Sequence, residues 1–107
     1  MEKNAYSLFK AMYMILDDIW KENQEEDLRI YVSDANPLFF ENGTSLDPVV
    51  FEDFKKLYET KRIDNISDYD FILYYLNNLD PYYGDIKKYF ESIPRDICES
   101  KITSVKD

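Results

Sequence analysis

"QEEDLRIYVSDA", Gln24–Ala35, decides the fold class of this chain. Leu28, Ile30 and Val32 alternate as they would in a half-buried strand, whereas Leu28, Tyr31, Val32 and Ala35 fall on one face of a helix. Asn23 with Glu26 three residues on has the form of a capping box, and Glu25, Glu26 and Asp27 crowd a first turn where negative charge is favourable. A lone strand would have no evident partner elsewhere in the chain. The stretch therefore predicts a helix, ended by Pro37, which disfavours helical backbone at Asn36.

Upstream, residues 3–22 carry two apolar stripes at helical spacing. One is Tyr6, Phe9, Tyr13, Leu16 and Trp20; the other is Leu8, Met12, Ile15 and Ile19. Lys3, Ser7, Lys10, Asp17 and Lys21 form the remaining polar stripe, so this helix is expected at the centre of the fold. Downstream, Asn42-Gly43 marks a turn, and Asp47-Pro48 sets an N-cap before a proline at the first helical position. A helix over 48–61 follows, with Val50, Phe51, Phe54, Leu57 and Tyr58 inward. Ser67 starts a fourth helix, with Asp68 and Asp70 in its first turn and Ile66 and Phe71 placed as a hydrophobic staple. Ile72, Tyr75, Leu76 and Leu79 form its inner stripe. Asp80-Pro81 repeats the capping device, so a fifth helix begins near 81, or near 85 if Gly84 breaks it, with Ile86, Phe90 and Ile93 inward. Beyond Pro94 a short helix through Cys98 is expected, then frayed residues. These signals predict an all-α, irregular bundle of five or six helices, one domain spanning 1–107.

Composition narrows the chemistry. The chain has no histidine, one cysteine and two glycines. That removes the commonest general base and metal ligand, any intrachain disulfide, a zinc site built on thiolates and a glycine-rich phosphate cradle. Cys98 reads as a small buried hydrophobe, because no base accompanies it. Paired acids could perform glycoside chemistry, but Asp17-Asp18 and Glu25-Glu26-Asp27 are adjacent runs that should be solvated. A calcium loop beginning at Asp34 fails: Pro37 intrudes, the sixth position is not glycine, and Ser45 stands where a bidentate glutamate is needed. Asp64, Asp68 and Asp70 could attract a cation weakly, and more naturally serve the helix N-terminus. No catalytic residue, cofactor or metal site is expected, and the chain does not read as an enzyme.

Charge and rings are the positive signals. There are 22 Asp and Glu against 13 Lys and Arg, a formal net charge of −9. Such a field repels nucleic acid and anionic membranes and favours basic partners. No uncharged apolar run approaches a membrane span and the N-terminus has no leader-like cleavage site, so a cytoplasmic protein is expected. Ten tyrosines include the pairs Tyr74-Tyr75 and Tyr82-Tyr83, interleaved with acids. Exposed tyrosine is a good interface residue, although such rings also fill cores with their hydroxyls at the surface.

Residues 31–59, YVSDANPLFFENGTSLDPVVFEDFKKLYE, resemble a family of small, largely uncharacterised bacterial proteins. The residues that carry this are Ser33, Asp34, Ala35, Asn36, Pro37, Phe39, Phe40, Ser45, Asp47, Pro48, Phe51 and Phe54. The resemblance implies an all-α fold. In size, acidity and helicity the chain is also similar to immunity proteins of bacterial toxin systems, which dock an acidic face on a toxin's basic active site. In the loop itself, at least one of Phe39 and Phe40 is expected to plug the bundle, with Asp34 and Asn36 capping local backbone; the competing reading leaves one ring exposed as an anchor.

The function expected is a non-enzymatic protein-binding module, an immunity-type inhibitor of a basic, nuclease-like toxin. Its partner-binding residues would be the acids Asp68, Asp70, Asp80 and Asp85 with Tyr69, Tyr82 and Tyr83 as anchors. Two alternatives are a nucleic-acid-mimicking inhibitor of a DNA-processing protein and a structural module that homodimerises through its aromatic surplus.

Overall fold

The computed structural model describes residues 2–37, 45–61 and 65–106. Among these are six α-helices and no strand: α1 (Glu2–Asn23), α2 (Glu26–Ala35), α3 (Pro48–Lys61), α4 (Asp68–Asn77), α5 (Lys87–Glu91) and α6 (Arg95–Lys106), with a 3₁₀ turn at Pro81–Tyr83. The all-α bundle predicted from the sequence is what forms. Its radius of gyration, 12.7 Å, is that of one compact unit of this length.

α1 is the hub, packing against α2, α3, α5 and α6. Leu8, Phe9, Ala11, Met12 and Leu16 are completely buried, and Ile15 and Ile19 nearly so. Tyr6, Tyr13 and Trp20 lie at the edge of the core. A helix wrapped on so much of its circumference needs the double stripe seen in the sequence.

α2 buries Leu28, Tyr31, Val32 and Ala35, the helical set. Its expected capping box does not form. Glu25 is the N-cap without a side-chain bond, Asn23 accepts from the Glu25 N–H at 3.0 Å, and Glu26 instead pairs with Arg29. Asn36 ends the helix, and the chain returns to the same point: Leu46 N–H donates to the Asn36 carbonyl at 2.6 Å and Asp47 N–H to the Asp34 carbonyl at 3.0 Å. Phe39 and Phe40 lie outside the described residues. Asp34 and Asn36 meet the returning stretch of chain through their backbone carbonyls. Ser45, buried, donates to the Asp47 carbonyl and accepts from the Phe51 N–H, which fixes the first turn of α3.

Phe54 of α3 centres an aromatic cluster. It sits edge-on to Phe9 at 5.2 Å, Phe71 at 5.2 Å and Tyr75 at 4.8 Å, geometry that aromatic quadrupoles favour. Ser67 caps α4 as predicted, accepting from the Asp70 N–H at 3.1 Å. Gly84, at φ +79°, then separates the 3₁₀ turn from α5, so the fifth helix starts at Lys87, near the 85 expected if Gly84 breaks it, and not at 81. α6 corrects the expectation of a short helix through Cys98. It runs to Lys106 because Cys98 and Ile102 bury one turn apart against the bundle, with Val105 packed at the core's edge. No helix among the described residues is long and apolar enough to cross a membrane.

Candidate functional site

The seven residues expected to bind a partner fall at two ends of α4. Ten helical residues separate those ends by about 15 Å, so they do not form one patch.

At the N-terminal end, Tyr69 is buried, its ring against Phe90 at 5.5 Å and beneath the Arg95 guanidinium at 4.7 Å. This overturns its expected role as an exposed anchor: α6 begins over it. Arg95 also reaches Asp70 at 3.4 Å and Glu99 at 3.0 Å. Asp70 is thus partly neutralised, and Asp68 is half-buried beside it. This end is a helix-to-helix clamp rather than a free acidic surface.

The other end is open. Asp80 accepts from the Tyr82 N–H at 2.9 Å, which turns the chain and leaves the Tyr82 ring 72% exposed. Tyr82 rests edge-on against Tyr83 at 5.2 Å, and Asp85 is exposed nearby in sequence. Tyr83 is half-buried. Its hydroxyl donates to Asp34 Oδ2 at 2.9 Å and its ring meets Tyr31 at 5.1 Å. Tyr31 and Tyr75 share a buried hydroxyl pair at 2.9 Å. One turn earlier on α2, the Tyr89 hydroxyl donates to Asp27 Oδ1 at 2.7 Å. Asp27, Tyr31 and Asp34 are thus one face of α2, and tyrosines from α4, the 3₁₀ turn and α5 close on it.

Beside this network lies a groove between α3 and the corner after α4. A hollow of about 240 Å³ is walled by Asp47, Val49, Asp53, Leu79, Asp80 and Tyr83. It adjoins a second of about 360 Å³ through the shared Asp53, Tyr75 and Asn78, with Lys56 and Leu57 beyond. Three carboxylates therefore face one lysine among the described lining residues. Their charge is felt locally. The Tyr83 hydroxyl is driven well above its ordinary value by burial, then by its bond to Asp34 and the charges of Asp34 and Asp47. The Tyr75 hydroxyl is raised by burial, its bond with Tyr31 opposes this, and Asp53 adds to the rise. Both phenols stay protonated and do not act as bases.

Among the described residues no group of three or more acids and thiols is arranged to hold a metal ion. Cys98 is buried, and burial pushes its thiol up, away from a reactive thiolate.

Of the predicted residues the groove collects Asp80 and Tyr83; Tyr82 and Asp85 lie next to it in the chain. It adds Asp47, Asp53, Leu79 and Asn78, which were not expected at a binding site. In the sequence Asp47 reads as a cap, and it does cap, accepting from the Val49 N–H at 3.1 Å. Val49, Asp53 and Thr60 do recur at helical spacing with Leu57 of the inward set, along one edge of α3, a legible signal that passes for an ordinary solvated edge.

No protein-family model matches the chain, and no curated protein or solved structure is detectably similar to it.

Proposed function

We propose that this protein is a non-enzymatic binding module that takes basic side chains of a partner protein into the groove between α3 and the α4 corner. The observation that carries the reading is the lining: Asp47, Asp53 and Asp80 flank ring and aliphatic surface from Tyr83, Val49 and Leu79. A lysine or arginine suits such a recess, its stem on the apolar wall and its charge between carboxylates. Exposed Tyr82 supplies a stiff amphipathic contact at the rim. The net charge of −9 would steer a basic protein toward this surface. In its most specific form the reading is an immunity-type inhibitor that covers the basic active site of a cytoplasmic, nuclease-like toxin. Concavity favours this over mimicry of nucleic acid, which needs acids along a ridge.

Titration calorimetry with lysine- and arginine-rich peptides, then with basic nucleases, tests it. Charge-neutral Asp53→Asn and Asp80→Asn together should weaken binding by about tenfold, roughly 1.4 kcal/mol. Asp68→Asn with Asp70→Asn should leave it within twofold, and added NaCl should weaken it. Equal binding by the Asp53/Asp80 variant and the unaltered protein would show that the groove is not the site.

A further inference from the structure

α1 and α6 make an extensive helix pair, yet the outer seam between them is open. A hollow of about 460 Å³ runs along it, walled by Ile15, Ile19, Ile93 and Ile97. A smaller one, about 130 Å³, continues it past Met14 and Val105, sharing Ile15, Asp18 and Lys101 with the first. Met14 is 50% exposed and Ile97 46%. The surface is aliphatic, on a different helix pair from the acidic groove.

The charges around it differ from the rest of the molecule. Lys101 pairs with Asp18 at 3.7 Å and Lys21 with Asp17 at 3.1 Å, leaving Glu22 as the surplus. In a protein of net charge −9 this rim is nearly neutral. A basic partner gains little here.

We propose that this seam is the interface between two copies of the chain, related by a two-fold axis. Such an interface must be self-complementary, each feature meeting its opposite on the same patch. Here the patch holds a projecting, adaptable side chain, Met14, beside a recess that can receive its counterpart. It also holds both signs of charge: the Asp18 and Lys101 side chains are 61% and 51% exposed, so the pair can exchange partners across the axis. The seam is aliphatic; the aromatic surplus, drawn into the core around Phe54, does not form it. This interface is separate from the groove proposed for a basic protein and has the opposite salt dependence. Association of two chains of like net charge is strengthened when salt screens their repulsion, whereas acid–base docking is weakened.

Sedimentation equilibrium of the full chain over a range of concentrations, at low and high NaCl, reads this directly. A monomer–dimer equilibrium that tightens with salt is expected. Met14→Glu and Ile97→Lys should each weaken it by about tenfold or more. Ile97→Lys lowers the net negative charge, so its loss of association could not be ascribed to repulsion. Both positions are half-exposed, and circular dichroism verifies that each variant is folded. Asp53→Asn, in the other groove, should leave the dimer intact. A strict monomer at high micromolar concentration, a dimer indifferent to both substitutions, or one dissolved by salt overturns the proposal.

Discussion

Tyr83 ties the corner after α4 to α2. Its hydroxyl reaches Asp34, 49 residues away in sequence, and its ring covers Tyr31. Tyr83→Phe keeps the ring and deletes the donor, leaving a half-buried carboxylate short of a partner. That should cost about 1–3 kcal/mol in urea unfolding; an unchanged midpoint would mean that water replaces the hydroxyl freely. The same bonds set an alkaline limit. Burial, then the bond to Asp27, raises the Tyr89 hydroxyl from 10.0 to about 12, and Tyr83 is raised further still. A raised folded value means that the unfolded chain gives up its proton first. The stability from these phenols is therefore complete below pH 10 and drains away as pH rises through 12. Unfolding free energy should fall over that window, and less steeply in Tyr89→Phe, which has no proton there to lose. A wild-type curve flat to about pH 12 would refute the coupling.

Among the elements, α2 shows best what local sequence can and cannot say. Its helical face was legible, because Leu28, Tyr31, Val32 and Ala35 follow a 3.6-residue period that packing then obeyed. What Asp27 and Asp34 do on that face was not, since their partners come from 62 and 49 residues away. Tyr69 was illegible for a related reason: sequence places it on α4 beside acids, and only the arrival of α6 decides which side is covered. α6 itself reads too short in the sequence because its polar surface is wide and, past Cys98, only Ile102 and Val105 mark its inward face. Gly84 was legible as a breaker, and its strain can be measured. At φ +79° and ψ −159° it occupies backbone that is nearly glycine's alone, and an added Cβ would stand 3.3 Å from Asp27 Oδ2. Gly84→Ala should cost roughly 1–3 kcal/mol. It should also loosen the Tyr89–Asp27 bond, visible as a partial loss of the alkaline transition. Full stability in that variant would show that the turn relaxes into an ordinary conformation.

At the scale of the whole molecule, two electrostatic effects oppose each other, and their sizes decide the outcome. Exposed ion pairs, within a helix as at Lys21–Asp17 and Arg95–Glu99 or between helices as at Lys101–Asp18, are each worth about 0–1 kcal/mol and are weakened by salt. Against them stand 22 acids and 13 bases in a body only 33 × 29 × 26 Å across. At 0.01 M ionic strength the screening length is about 30 Å, so nearly every carboxylate feels every other; at 0.15 M it is about 8 Å and only neighbours interact. Added salt therefore removes long-range repulsion while only trimming close pairs. The surplus of acids should win, and NaCl should raise the melting temperature. Relief of about 1 kcal/mol would appear as an increase of roughly 4–8 °C. Melts followed by circular dichroism across that range of NaCl, at a concentration where the chain is monomeric, separate this from any gain by association. A melting temperature that falls with salt would mean that the ion pairs outweigh the net charge.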